Sequence, residues 1–402
     1  MVLAAALLFA ACGPRAGTQA PGTSANAAST DAGAATSGAA GPAPSATTPA
    51  PAAAAPGAPT AAPAPTPSTS PAAPPISSLA RLSGEPAVGA QFHATWSSYS
   101  ASDRAVILDK LAAAGAQWVR IDVGWASYES SGSGQIAAWY SNRVDAAVNE
   151  ARARGLKVLL TPWMTPGWAN ANAGTATPPT NPAEYARFLT WLTDHLQGRV
   201  QAYEIWNEPN LSYFWKGTSA QYATLLKAAY PAVKAGDPAA QVVIGGPSHN
   251  DTAWIANQYQ LGVRGAFDVM ATHPYQGIAS TAPEQADDGT QYTLAHVAAV
   301  HDLMVANGDG AKPIWFTEFG WSNHANAPGS ANWEQGVTDQ QQGEYLIRSL
   351  RWIATNAPYV TQVFWYNDRN QTTGDPHLDN YGLLTATMGE KPVYQALRDY
   401  LT

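Results

Sequence analysis

The chain has 402 residues, with 21 Lys and Arg against 29 Asp and Glu and a formal net charge of −8. No basic cluster interrupts this acidic balance, which argues against nucleic acid as a partner and, more weakly, against strongly acidic polymers. A single cysteine, Cys12, excludes an internal disulfide framework and a thiolate metal site.

Along the chain, Met1 to Ala11 is an apolar run ending in small residues, too short to span a membrane and patterned like the apolar part of an export signal. The sequence LFAACG around Cys12 is similar to the bacterial lipobox, in which the cysteine carries lipid, so a membrane tether through a Cys12 lipid is one expectation. A cleaved signal with a stray cysteine is the other. Both place the folded part outside the cytoplasm, as a secreted protein or a surface lipoprotein. From Gly13 to Ala80 nearly every residue is Ala, Pro, Thr, Ser or Gly, with Arg15 and Asp31 the only charges. Such a segment cannot bury enough apolar surface to offset its ordering entropy, and reads as a disordered linker. The organisation is therefore 1–12 export segment, 13–80 linker and 81–402 folded domain.

From Ala87 onward short apolar runs rich in Val, Ile and aromatics alternate with amphipathic helical stretches, the mark of a βα repeat around a parallel sheet. Eight strands are predicted: 88–94, 118–125, 157–163, 200–208, 241–247, 267–275, 313–321 and 360–367. Helix signals fall between them. Asn181, Pro182 and Glu184 form a start, Gly198 a stop, and Thr218 and Thr338, each followed three residues on by Gln, are capping boxes. Gly115 and Gly155 end the first two helices. Eight βα units in roughly 320 residues fit an α/β fold of the (β/α)₈ TIM-barrel type, and no Gly-rich phosphate turn suggests an open doubly wound sheet instead.

In such a barrel, catalytic groups sit at the carboxyl ends of strands. Strand four ends in YEIWNEPN and strand seven in WFTEFGW, each carrying a carboxylate where a buried one would be costly unless paired or used. Glu208 and Glu318 lie on near-opposite strands and face each other across the mouth. That supplies the two carboxyl groups glycoside hydrolysis needs, at a spacing compatible with the about 5–5.5 Å of a retaining mechanism. Fifteen tryptophans and seventeen tyrosines fit a carbohydrate ligand, because aromatic faces stack on sugar rings, with core packing accounting for about half.

WNEP and TEFGW, with HPY on strand six and a Trp on strand eight, resemble the clan A glycoside hydrolases from about Val88 to the C-terminus. YEIWNEPN, the following FW, YGLL and KPVYQAL look most like glycoside hydrolase family 39, with the cellulase-like family 5 as close competitor. The resemblance implies Glu208 as general acid/base, Glu318 as nucleophile and Asn207 as donor to the sugar 2-hydroxyl. It further implies Tyr275 as a hydrogen-bond donor to the nucleophile, Arg120 as a cation beside it, and Trp365 as a platform under the reacting sugar. His273 and His93 are candidate sugar contacts, with packing as the alternative. Asp122 shares a strand face with Arg120 and pairs with it. Trp125, Trp163, Trp168, Trp206, Trp215 and Trp321 sit at or just past strand ends, where some line further subsites; Trp163 and Trp321 are the leading choices. Asp368, Asp375 and Asp379 lack metal-loop spacing and read as solvated loop carboxylates. The expected activity is retaining hydrolysis of a neutral β-linked poly- or oligosaccharide by a monomer needing no cofactor or metal. An exo-acting β-xylosidase-like or arabinofuranosidase-like enzyme and a non-catalytic carbohydrate-binding barrel remain alternatives.

Overall fold

The computed structural model describes residues 79–402, so the export-segment and linker readings lie outside the described residues. Eight parallel strands form one sheet: β1 (Ala87–Gln91), β2 (Trp118–Gly124), β3 (Lys157–Trp163), β4 (Ala202–Ile205), β5 (Gln241–Ile244), β6 (Met270–Thr272), β7 (Ile314–Phe319) and β8 (Val360–Trp365). Their spatial order is β5-β4-β3-β2-β1-β8-β7-β6, and an isolated parallel bridge, Val243 to Val269, joins the two ends. The result is the expected (β/α)₈ barrel. Its seam between β5 and β6 is the most sparsely bridged part of the wall.

The helices are α1 (Ala101–Ala113), α2 (Trp125–Tyr128), α3 (Ala138–Arg152), α4 (Pro182–His195), α5 (Ser219–Gly236), α6 (Thr252–Gln260), α7 (Val297–Ala306), α8 (Asp339–Asn356), α9 (Pro376–Asp379) and α10 (Pro392–Leu401). Capping chemistry sets their starts. Thr218 and Thr338 form reciprocal capping boxes with Gln221 and Gln341, and Asn181 accepts from the Ala183 backbone ahead of Pro182. Gly115, Gly155 and Gly198 all hold positive φ, the conformation a helix stop asks of glycine.

Every strand but β3 ends earlier than its predicted run. β4 stops at Ile205 rather than 208, because Trp206 (φ 76°) and Glu208 (φ 40°) leave the extended region. A left-handed conformation costs a non-glycine residue roughly 1–2 kcal/mol. Burial of the Trp206 ring holds this turn: its indole N–H donates to Phe214 O at 2.9 Å, and Trp163, Tyr185 and Trp215 pack edge-on around it. The strained turn aims Asn207 and Glu208 over the barrel instead of continuing the ladder. β5, β6 and β8 likewise close at Ile244, Thr272 and Trp365, and their last predicted residues form the rim.

Candidate active site

The floor of the barrel mouth is built around one guanidinium. Arg120 on β2 is fully buried and donates through Nε to Glu204 (2.7 Å), through Nη1 to Gln91 and Glu318 (2.7 Å each), and through Nη2 to Asn207 Oδ1 (2.7 Å). An isolated buried charge is prohibitively expensive, so it persists through these partners. Glu204, also fully buried, collects three further donors: Thr161 Oγ1 (2.9 Å), Thr317 Oγ1 (2.7 Å) and the Gly246 amide (3.1 Å). Burial pushes its carboxyl upward, but Arg120 wins and holds it below the ordinary carboxylate range.

Glu318 sits one layer up with its side chain 12% exposed, one oxygen on Arg120 and the other accepting from Tyr275 Oη at 3.1 Å. Glu208 faces it with its side chain 7% exposed, hydrogen-bonded to His273 Nδ1 at 2.9 Å. An oxygen of each glutamate and a nitrogen of His273 lie within 4.8 Å of one another. His273 Nε2 meets Thr317 Oγ1 at 3.0 Å, closing a path from Glu208 through His273, Thr317, Glu204 and Arg120 to Glu318. Burial alone would lower the His273 pKa, yet the charges of Glu318 and Glu208 raise it above the ordinary histidine value. The trio has a composition that can hold a cation, but Arg120 already neutralises the carboxylate that would anchor one.

Asn207 shows how the floor orients a neutral group. A guanidinium can only donate, so Oδ1 must face Arg120, and Nδ2 is left to donate toward the mouth. Asp122 pairs with Arg120 as expected, but at the long end of an ion pair. It stands 3.9 Å from Arg120, and its short bond comes from Gln91 Nε2 at 2.8 Å. His93 is buried and stacked on Trp96 with 3.9 Å between centroids, and burial first, then Arg120, depresses its pKa to about 3, so it stays neutral.

The tryptophans require corrections. Trp365 is fully buried, donates to Tyr381 O at 2.9 Å and packs against Phe319 and Trp321. Alternation along β8 turns it outward, and the next residue, Tyr366, reaches the mouth instead, against His93 and Tyr381 and within the fields of Glu318 and Glu208. Trp321 is buried with its N–H on Thr281 O (2.9 Å), and Trp163 is buried edge-on to Trp206 and Phe214. Trp125, Trp206 and Trp215 are buried too; Trp168 is half-buried, its N–H on Glu129 O. The well-exposed rings in the loops after β4 and β6 are Tyr213 and Tyr292. Asp368 is also not a solvated loop carboxylate: it is fully buried, accepts from Tyr99 Oη at 2.7 Å, and burial lifts its pKa to about 7. Asp375 caps α9, and Asp379 accepts from the Thr373 and Gly374 amides.

The family model described as cellulase, glycosyl hydrolase family 5, matches residues 81–371. The chain belongs to glycosyl hydrolase family 5. Its barrel and its paired strand-end glutamates are in keeping with that family. A β-xylosidase of Caldicellulosiruptor saccharolyticus is 33% identical over 112 residues, a stretch that is 25% of this chain and 22% of that protein. The family 5 chain thus aligns with about a fifth of that curated relative's length. Among solved structures, a family 39 glycoside hydrolase of Bacteroides cellulosilyticus WH2 superimposes with a TM-score of 0.63 at 23% identity, covering 79% of this chain and 64% of that one. A GH5_18 enzyme of Streptomyces cattleya, in complex with Manb1-4GlcNAc, gives 0.60 at 20% identity over 79% of this chain and 80% of that one. A monomeric β-xylosidase of Caulobacter crescentus CB15 gives 0.56 at 17% identity over 78% and 67%. Families 5 and 39 thus both stand among its likenesses, and at these identities the structural ones speak for the fold.

Glu204, Gln91, Thr161, Thr317 and Tyr366 are the site residues that sequence reading missed. For Glu204 a signal existed: a carboxylate inside an otherwise apolar strand demands a cation, and Arg120 on β2 was the available one.

Proposed function

We propose that this family 5 glycosidase hydrolyses a neutral, β-linked oligo- or polysaccharide with retention, Glu208 acting as acid/base and Glu318 as nucleophile. The observation that carries this reading is the contrast between two carboxyl groups whose oxygens approach within 4.8 Å. Glu318 accepts from a guanidinium on one oxygen and a phenol on the other, donors that fix both ends of the group assigned the attack. Glu208 meets only a histidine among the described residues, a partner that can exchange a proton with it. The close approach of the two groups supports the retaining reading, with carboxyl groups about 5–5.5 Å apart, over an inverting one, which requires about 6.5–9.5 Å. Asn207 Nδ2 is the donor to the 2-hydroxyl of the reacting sugar, and Tyr275 steadies Glu318.

The neutral-substrate reading is supported by charge. The carboxylates of Glu208, Glu318 and Asp122 line the mouth, and the one guanidinium beneath them is committed to protein partners. Neutral xylans, mannans and β-glucans are expected to release reducing ends, and polyuronates far fewer. Faster turnover of a polyuronate than of every neutral glycan overturns the reading. Exo action on β-xylosides is a second reading, favoured by the 33% identical stretch shared with a β-xylosidase. Product length separates the two: single sugars from the first minutes for exo cleavage, mixed oligosaccharides for internal cleavage.

Export, with a lipid tether at Cys12, is supported by the apolar run and the LFAACG sequence. Metabolic labelling with a fatty-acid probe in a bacterial host is expected to mark the parent chain and not Cys12→Ser; equal labelling of both refutes the tether.

A further inference from the structure

Three carboxylates line this mouth, and their hydrogen bonding is unequal. Glu318 has a guanidinium on one oxygen and a phenol on the other. Glu208 has His273. Asp122, near the carboxyl end of β2 and two residues beyond Arg120 on the same face, receives one hydrogen bond, from Gln91 Nε2 to Oδ2 at 2.8 Å. Its Oδ1 has no hydrogen-bond donor among the described residues, the nearest cation being Arg120 Nη1 at 3.9 Å.

A carboxylate offers about four lone-pair sites, and a nearly buried one left with a single donor loses most of what water gave it. The side chain is 14% exposed rather than sealed, and it lies within the fields of Glu318 and His273 beside the site. Glu204 makes the comparison concrete: on the same guanidinium it collects four donors and is closed off, a structural counter-ion. Asp122 has no such closure, and burial first of all, with the nearby Glu318 and Glu204 charges adding and Arg120 opposing, lifts its pKa to about 6. Its neighbours cannot fill the gap. The Gln91 amide oxygen is bound to Arg120, which fixes that amide's orientation; its nitrogen donates to Asp122 Oδ2 and lies 3.5 Å from His93 Nδ1, and neutral His93 stands 3.7 Å from Oδ2 rather than at Oδ1.

Such a group is completed by hydroxyl donors from a ligand. We propose that Asp122 is the specificity-determining clamp of the reacting sugar, accepting on Oδ1 from a hydroxyl other than the 2-hydroxyl. The proposal rests on the glycosidase reading of Glu208 and Glu318, because those residues fix where the sugar sits. Asp122 approaches Arg120 at Nη1, the nitrogen that also donates to Gln91 and Glu318, whereas Asn207 is held by the other nitrogen, Nη2. The 2-hydroxyl belongs to Asn207, so Asp122 reads a more distal position on the ring. A carboxylate there also rejects a uronate, whose own anion would face it, and favours sugars with a free hydroxyl at that position over deoxy or alkylated ones.

A substrate-side cycle tests this. Take the aryl glycoside the enzyme turns over best, its 3-, 4- and 6-deoxy analogues as far as the sugar has those hydroxyls, and the parent chain beside Asp122→Ala and Asp122→Asn. Removing the contacted hydroxyl, or replacing Asp122 by Ala, is expected to lower kcat/KM about 10- to 100-fold, the range for a hydrogen bond to a charged group. Removing both is expected to lower it little further. Asp122→Asn keeps the shape and the Gln91 side of the contact, so it carries the same cycle should the alanine variant fold poorly. Losses that multiply independently at every ring position overturn the clamp while leaving the glycosidase reading intact. Absence of turnover of any glycoside by the parent chain overturns both.

Discussion

Glu318→Ala is expected to abolish hydrolysis of every substrate, lowering kcat by about 10⁴-fold or more, because the residue forms the covalent bond on which double displacement depends. The cavity it leaves lies beside Arg120 and Tyr275, two groups built to hold an anion. Azide or formate entering there attacks the sugar from the nucleophile's own face in a single displacement. The slow reaction that returns should therefore give a product of inverted configuration. Loss of activity without rescue leaves the assignment to the second glutamate's behaviour, which differs in kind.

Glu208→Ala removes the proton donor for the leaving oxygen and the base for the attacking water. An aryl leaving group of low pKa needs no donated proton, so formation of the glycosyl-enzyme stays fast and its hydrolysis becomes limiting. A pre-steady-state burst of phenol, a low steady state and a depressed KM follow. Natural glycans lose both steps and fall about 10²- to 10⁴-fold or further. Azide attacks the accumulated intermediate without needing a base, and its product retains configuration. NMR of the two azide products decides the matter: a retained product from Glu318→Ala and an inverted one from Glu208→Ala would mean that the roles are exchanged.

The barrel was legible because its signals repeat. Eight alternations, two Thr-Gln capping boxes and three glycine stops each specify local geometry, and all these caps and stops occur in the structure. The two glutamates were legible for a related reason, being charged at the ends of strands whose other residues are apolar. What escaped is what depends on neighbours far away in sequence. Trp365 and Tyr366 look interchangeable in FWYN; only the facing of β8 decides that Trp365 packs outward against Phe319 while Tyr366 enters the mouth. The rim tryptophans misled for the same reason, since an aromatic at a strand end serves a buried wall as readily as a sugar platform. Asp122 does pair with Arg120, at 3.9 Å, but proximity along the strand did not reveal that Glu204, Gln91, Glu318 and Asn207 fill that guanidinium's short contacts.

Arg120 is accordingly where one substitution reaches furthest. Arg120→Met leaves Glu204 buried with no cation and Glu318 and Asn207 without their common anchor, and breaking a buried ion pair from one side costs about 3–5 kcal/mol. Activity is expected to fall about 10²-fold or more even in the folded fraction, because both groups lose the contact that fixes them relative to the sugar. The pH dependence gives the cause away. In the parent chain Arg120 depresses the Glu204 pKa, so the pair's stabilisation is present above the unfolded carboxylate value of about 4.5 and is lost as pH falls through the lower folded value. Without Arg120, burial dominates and raises the Glu204 pKa; the anion then destabilises the native state at neutral pH, and acid relieves it by protonation. The stability deficit of Arg120→Met relative to the parent should therefore be largest near pH 7 and shrink toward pH 4.5, as denaturant titration at the two values would show. Adding Glu204→Gln in the same chain should recover much of the neutral-pH deficit without restoring activity, since the amide carries no charge to compensate yet cannot reposition Glu318. A deficit that is the same at both pH values, or unchanged by Glu204→Gln, would mean that the arginine acts by packing volume rather than as the counter-ion of Glu204.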